Sequence, residues 1–395
     1  MPAGSQAPPP SPSRAEQRVD ISVLIPVLNE ERHIRETVAA MQAQRFDGNV
    51  ELLFADGGSE DATREILREL SRQDPRIRVL DNPRKRTASG LNVCLREARG
   101  EYVARMDAHT YYADRYLAAG VERLRAGGTE WVSGPAVPRP TGPISRAVAL
   151  ALASFLGRGG SRKWSEDEGG GEERELDTGV FGGVWRRETL LAAGGWDERW
   201  PINQDSEMAS RFLRRGARLV CLPEMVGNYV PRDTFSGLVR QYFRYGYYRA
   251  RTARRHPESL RRSHLIAPAL SVALLGTLLA PTRPLRRLCR AGVGSYLAAV
   301  AATAASVARK PDQREEGLLL LGVLPVMHLG WGFGTLAGAA KFGPPFAALA
   351  RLLGRGGAEP DPHPGLDPGA GALSAAALRD AADGVHAPSL HEQQA

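Results

Sequence analysis

Cysteine is scarce in this 395-residue chain: Cys94, Cys221 and Cys289 stand far apart and form no C-x-x-C pair. That spacing argues against a disulfide framework or a zinc ribbon and suits a reducing compartment. Acid is in short supply too. Against 52 lysines and arginines stand 44 aspartates and glutamates, a net charge of +8. The surplus points to nucleic acid, anionic lipid or phosphorylated small molecules as partners. The first residues, MPAGSQAPPPSPSRAEQR, hold no apolar run and are crowded with proline. They read as a disordered leader over 1–18 and not as a signal peptide, which leaves the remainder on the cytoplasmic side.

What is present is periodic. From Val19 to about Met106, short apolar β-branched runs (VDISVLIPV, VELLFA, IRVL, YVARM) alternate with helical spacing, first through Ile34, Val38 and Met41, then through Ile66, Leu67 and Leu70, then over Ala88–Ala98. Strands separated by single helices predict a parallel, doubly wound sheet. Ligands on such sheets sit at the carboxyl ends of strands, and Asn29, Asp56 and Asp107 all fall just past such ends. Residues 157–176 are glycine-rich and charged and read as a mobile loop.

Past ARLVCLP the composition changes. Residues 240–264 carry eight arginines against one acid, Glu258, interleaved with Tyr242, Phe243, Tyr245, Tyr247 and Tyr248. Uncharged stretches follow at 265–282, 291–308 and 317–340. A bilayer crossing takes about 20 apolar residues; the third stretch meets that, the first approaches it and the second is alanine-rich. Buried helices of a soluble domain are the alternative, but glycine, proline and alanine content with arginines outside the runs favours two to three transmembrane helices over 263–345. The basic flank before 265 places that end in the cytoplasm. RPLRRLCR at 283–290 would then be a loop with four arginines on the far side, so the first stretch is open to an interfacial or re-entrant role. From 354 to 395 the sequence reads as a disordered tail.

Four constellations can carry chemistry. Asp56, ending a strand before two glycines, can approach a ribose or base edge, or can close a simple Asp-Gly turn; Asp61 suits the start of the next helix. Asp107 and His109, at i and i+2 past a strand, can aim at one ion, and a carboxylate with an imidazole suits Mn2+; a capped turn is the alternative. Asp205 stands at a helix start, where it can cap or serve as a general base, with Glu207 as competitor. Gln241, Arg244 and Tyr245 share one helical face, fit for phosphates or headgroups. No nucleic-acid motif accompanies them.

In order, ISVLIPVLNEE, ADGGSEDAT, GLN before ARGEYVARMDAH, NQDSEM…RFLRRG and QYFRYG resemble the motifs of family-2 glycosyltransferases, over roughly residues 19–250. The likeness is closest to the membrane-anchored, succinoglycan-biosynthesis branch. It implies a GT-A fold over 19–262, a nucleotide-diphosphate sugar donor (a UDP-sugar), a divalent metal (Mn2+ or Mg2+) and inversion at the anomeric carbon. Pro26, Asn29, Glu30, Asp56, Asn92 and Asp107 would bind the nucleotide sugar. Asp107 with His109 would hold the metal, and Asp205 would deprotonate an acceptor hydroxyl. Gln241, Arg244 and Tyr245 would meet the diphosphate and acceptor, Tyr245 replacing the tryptophan of Gln-x-x-Arg-Trp. His109 replaces the motif's second acid, and Gln204 stands where glutamate is common. The implied acceptor is a lipid-linked saccharide or polysaccharide at the cytoplasmic membrane face, with polysaccharide-assembly proteins as further partners. The rival readings are a polyprenyl-monophosphate sugar transferase and a non-catalytic nucleotide-sugar-binding assembly subunit.

Overall fold

The computed structural model describes residues 18–158, 171–179 and 182–354. The leader, most of the 157–176 loop and nearly all of the 354–395 tail lie outside the described residues. The strand–helix alternation runs as β1 (Ile21–Val27), α1 (Ile34–Gln42), β2 (Val50–Asp56), α2 (Thr63–Gln73), β3 (Ile77–Asp81), α3 (Thr87–Glu97) and β4 (Tyr102–Arg105). Next come β5 (Thr110–Tyr112), α4 (Tyr116–Arg125), β6 (Trp131–Ser133), β7 (Ala136–Pro138), α5 (Pro143–Ala153), α6 (Phe155–Arg158), β8 (Arg174–Leu176) and β9 (Gly183–Arg186). After them lie α7 (Arg187–Ala192), α8 (Gln204–Arg214), β10 (Leu219–Cys221), β11 (Gly227–Tyr229) and α9 (Phe235–Arg255). The C-terminal part holds α10 (Ile266–Leu279), α11 (Arg283–Ala308), α12 (Arg314–Phe342) and α13 (Phe346–Leu352).

Among the described residues one sheet has eight strands in the order β3-β2-β1-β4-β9-β6-β10-β8, and a second joins β5-β11-β7. In the first, β3, β2, β1 and β4 pair in parallel, and β9 enters antiparallel between β4 and β6. This is the predicted Rossmann-like, mostly parallel GT-A architecture. Its central strands are covered on both faces, which is why β1 reads as an unbroken apolar run. Val23 and Ile25 join the cluster under α1, while Leu24 joins the opposite cluster with Leu91, Leu95 and a tryptophan group. Each such burial contributes about 1.5–3 kcal/mol.

One residue opens the cleft. The β1–β4 ladder ends at Leu24 and Arg105, with Met106 N–H donating to Leu24 O at 3.2 Å. Pro26 comes next in the alternation that faces β4, and without an N–H it cannot continue the ladder. The two strands part there.

Two expectations for the C-terminal part need correction. RPLRRLCR is no loop: it forms the first two turns of α11, started by Thr282, whose hydroxyl accepts from Leu285 N–H, with proline in the first turn. Nor does residue 262 divide the packing. α12 lies along α9, where a Cβ on Gly334 would sit 2.0 Å from Phe243 O, and Leu238 of α9 shares a core with α5, α11 and α12. The stretches Arg262–Leu279, Arg283–Ala308 and Pro311–Phe342 are long and apolar enough to cross a membrane.

Candidate active site

A charged side chain in a strand covered on both faces is costly unless paired. Arg105, the last residue of β4, is only 4% exposed. Its guanidinium holds Asp107 through two bonds, Nε to Oδ1 at 2.8 Å and Nη2 to Oδ2 at 3.0 Å, and reaches Asp205 Oδ1 through Nη1 at 2.7 Å. One buried cation therefore joins the strand-end aspartate to a helix-start aspartate that lies 100 residues beyond the arginine in sequence. In the sequence Arg105 is only a break in the apolar run YVARM. That break was the available signal, because a buried strand keeps an arginine only where acids meet it.

Asp107 is placed by its own backbone, whose N–H donates to Tyr112 Oη at 2.7 Å. Asp205 is the second residue of α8 and does not cap it. The residue before the helix, Asn203, is left-handed at φ 63° and sends its side-chain amide to Tyr245 O at 3.3 Å. Trp196 Nε1 donates to Asp205 Oδ1 at 3.3 Å, and its ring packs on Trp185, which packs on Trp131. The tryptophan group of the core thus fixes this carboxylate.

The two aspartates titrate in opposite directions. Burial pushes the Asp205 carboxyl up, the Asp107 charge adds to it, and the single Arg105 contact offsets only part. For Asp107 burial also pushes up, but the bidentate Arg105 pair outweighs it and the group lies below the usual carboxylate range. Raised proton affinity in a buried carboxylate is what a general base near neutral pH needs.

His109 Nδ1 lies 3.3 Å from Glu30 Oε1. Desolvation by the surrounding cleft opposes charge on this imidazole, although its side chain is 46% exposed, and the Glu30 bond with the Asp107 and Glu30 charges carries its pKa above the ordinary histidine value. Among the described residues no three His, Cys, Asp or Glu side chains gather as an ion's ligands. Asp107 and His109 still suit a divalent ion in kind. An ionised carboxylate offers about four lone-pair sites, of which Arg105 takes two, and carboxylate with imidazole suits Mn2+.

Around this centre the rim is braced by its own side chains. Asp56, 1% exposed, accepts from Ser59 N–H at 3.1 Å and Ser59 Oγ at 2.6 Å. Asn29, left-handed at φ 55°, accepts from Glu60 N–H at 2.9 Å and donates its own N–H to Ser59 Oγ at 3.0 Å. Asp61 accepts from Thr63 N–H at 3.0 Å, as its place at a helix start predicted. On α9, Gln241 Nε2 donates to Tyr245 Oη at 3.1 Å, and Tyr245 feels the charges of Asp205, Arg244 and Arg232. Arg232, in the loop before α9, also acts on His109; nothing in its sequence surroundings marked it.

Two further residues are held by partners of their own. Asn92 accepts from Trp196 N–H at 3.0 Å and donates to Trp196 O at 2.8 Å and Glu198 Oε1 at 3.0 Å. Its amide holds the turn that carries Trp196. Glu207, the competitor for the base, is 2% exposed and bonded to Arg211 at 2.9 Å and His256 at 3.2 Å.

The family described as Glycosyl transferase family 2 matches residues 22–171. The chain is 31% identical over 314 residues to "Succinoglycan biosynthesis protein ExoA" of Rhizobium meliloti (strain 1021), covering 79% of this chain and 92% of that one. It is 24% identical to a dolichyl N-acetyl-alpha-D-glucosaminyl phosphate 3-beta-D-2,3-diacetamido-2,3-dideoxy-beta-D-glucuronosyltransferase of Methanococcus voltae, covering 57% and 71%. Among solved structures, the mannosyltransferase PcManGT of Pyrobaculum calidifontis in complex with GDP-Man and Mn2+ superposes with a TM-score of 0.48 at 21% identity, covering 79% and 88%. S. aureus TarS 1–349 in complex with UDP superposes at 0.42 and 16% identity, covering 78% and 90%.

Proposed function

The chain belongs to glycosyl transferase family 2, and on that footing we propose that it is an inverting transferase moving a sugar from a nucleoside diphosphate, taken here as UDP, to a hydroxyl of a lipid-linked or polysaccharide acceptor in cell-surface glycan synthesis. The observation that carries this reading is Asp205: a half-buried carboxylate of raised proton affinity, fixed by Arg105 and Trp196 at the cleft formed by the strand ends.

In the proposed reaction Asp205 takes the proton of the acceptor hydroxyl. The freed oxygen attacks the anomeric carbon, and as the new C–O bond forms the bond to the diphosphate oxygen breaks. The nucleoside diphosphate leaves with the electron pair. Pro26, Asn29, Glu30 and Asp56 line the nucleotide side, while Gln241, Arg244 and Tyr245 with Arg232 face the diphosphate and acceptor. Asp107 and His109 would hold a divalent ion together with the diphosphate, and that ion would supply Lewis-acid neutralisation of the leaving group. Arg105 keeps Asp107 ionised and holds Asp205 in place. The apolar C-terminal helices keep the site beside a membrane, on the cytoplasmic side, where polysaccharide-assembly proteins would meet it.

Asp205→Asn in the full-length chain tests the reading. Transfer from UDP-sugars to a lipid-saccharide extract should fall by about 10²–10⁴-fold, with UDP affinity by calorimetry changed less than about tenfold. A variant that keeps its rate removes Asp205 as base and returns the lipid-monophosphate acceptor reading, in which a base is dispensable.

A further inference from the structure

The course of α12 bears on how the chain meets its membrane. Phe235 lies beside Gly322, Phe243 beside Gly334, Tyr247 beside Gly338 and Arg254 beside Gly343. α9 and α12 therefore run in the same direction and touch along the whole length of α9, about 30 Å at 1.5 Å per residue. α9 is itself fastened to the catalytic body: Asn203 donates to Tyr245 O at 3.3 Å, Trp200 Nε1 to Thr252 Oγ1 at 3.1 Å, and Arg251 to Arg199 O at 2.6 Å. The other end of α12 is fastened as well, through Glu316, which pairs with Arg146 of α5 at 2.6 Å. Past its C-terminus, Ala348 of α13 packs with Ala253 and Leu260.

A helix held to the catalytic body at both ends and along its middle cannot cross a bilayer without taking that body with it. A crossing along the α12 axis would draw α9 and its six arginines, at 240, 244, 249, 251, 254 and 255, into hydrocarbon, where charged side chains are strongly disfavoured. The exposed surface favours a different placement. On α9, Phe235, Val239 and Phe243 recur every fourth residue and stay 37%, 45% and 37% exposed. They form an apolar stripe that borders the α12 contact and continues its exposed apolar surface. α10 continues the short turn that begins at Arg262, so length alone does not distinguish a crossing from an in-plane course. It touches α12 at Gly332 through Ala267 and Ser271, and α11 at Cys289 through Gly276. α11 runs back along α12, with Ala308 against Gly317 and Tyr296 Oη 2.9 Å from His328 Nδ1.

We propose that α10, α11 and α12 lie in the plane of one leaflet beside α9, so that the chain enters the membrane from a single side and does not cross it. The occupant of the exposed face is a leaflet carrying anionic headgroups. Leu278, Leu279, Leu288, Leu297 and Leu318 stand 53–76% exposed on it, and Arg283, Arg286, Arg287 and Arg290 cluster on the first turns of α11, as phosphate headgroups would require. This also accounts for four arginines between two apolar stretches, which an alternating set of crossings would place on the wrong side.

The test uses the full-length chain in membrane vesicles of both orientations. Cys289→Ser removes the half-exposed thiol; Cys94 and Cys221 are buried. Into that background goes one of Pro281→Cys, in the turn between α10 and α11, Asp312→Cys, in the turn between α11 and α12, Leu353→Cys, after α13, or Asp47→Cys, on the surface of the catalytic domain. A membrane-impermeant maleimide should label all four in the same vesicle orientation and none in the other. Labelling of Pro281→Cys, Asp312→Cys or Leu353→Cys only in the opposite orientation would establish a crossing and overturn the proposal. So would a site silent in both until detergent is added, which would put the turn inside the bilayer. After detergent removal the unmodified chain should float with vesicles containing phosphatidylglycerol more than with phosphatidylcholine alone. A soluble dimer that floats with neither would give this face to a second copy and also overturn the proposal.

Discussion

Replacing Arg105 with methionine keeps most of the side-chain volume and removes only the cation. The structure then loses three charge-assisted bonds at once, two to Asp107 and one to Asp205, and leaves two carboxylates that are 13% and 16% exposed facing a site with no counter-charge from β4. Removing one member of a buried ion pair costs about 3–5 kcal/mol, most of it from the charge left behind. At about 2–4 °C per kcal/mol for a domain of this size, the melting temperature should fall by about 6–20 °C, read from tryptophan fluorescence in detergent. The cost should depend on pH with a fixed sign. Without the guanidinium the aspartates' folded pKa values rise above their unfolded value of about 3.9, so protonation stabilises the folded variant relative to the unfolded chain. The gap to wild type should therefore narrow from about pH 8 to about pH 5 as a proton takes the cation's place. Activity should fall further than stability accounts for, since Asp205 loses its tether. A variant that melts within about 2 °C of wild type, with a gap independent of pH, would show that Arg105 is not the cation holding the two acids.

Other outcomes follow from the same contacts. Asn92→Ala should leave UDP affinity within about threefold while lowering turnover and melting temperature, because it releases the Trp196 turn; a selective loss of nucleotide binding by calorimetry would show its expected ligand role. His256, 1% exposed, has a pKa raised by Glu207 and Glu258 against the effect of burial. Its contribution is complete below about pH 6.5 and lost as pH rises through the folded value, so wild-type melting temperature should decline on the alkaline side. His256→Gln, short of a bond to a charged group worth about 1.5–3 kcal/mol, should be less stable at pH 6 and show a flatter decline; parallel pH curves for the two proteins would contradict the pairing. Mn2+ alone should bind weakly to the full chain and more tightly with UDP present, and His109→Ala should reduce that joint binding. Equal Mn2+ affinity in variant and wild type would leave His109 with Glu30 alone.

The frame of the fold was legible because its signals are local. β1 to β4 each carry their apolar run within a few residues, and α8 starts at Gln204, one residue before Asp205, which the spacing of Met208 and Phe212 places at a helix start. The placement of Asn29, Asp56 and Asp107 on one rim followed from strand order alone. What escaped notice depends on contacts far apart in sequence. Arg105 is intelligible only beside Asp205, and Asn92 only beside Trp196, 104 positions away. The misreading of 283–290 had another origin: four arginines suggested a solvated loop, although Thr282 and Pro284 together form a helix-start signal. The contact of α9 with α12 rests on glycines whose role is to be absent as side chains, and no periodicity of apolar residues reports it.

That backbone-to-backbone contact bears on how sequences of this kind can be recombined. Gly334 approaches Phe243 O, and Gly246 approaches Trp331 O, closely enough that a Cβ on either would lie 2.0 Å from the facing carbonyl. Each helix is therefore shaped by the main chain of the other, and the helix presenting Gln241 and Arg244 inherits its position from a partner some ninety residues downstream. A chimaera joined at residue 262, where the sequence invites a cut, would pair α9 with a foreign support. The transferable unit is α5, α9, α11 and α12 exchanged together, and substrate preference grafted without that set should come at the expense of a correctly seated α9.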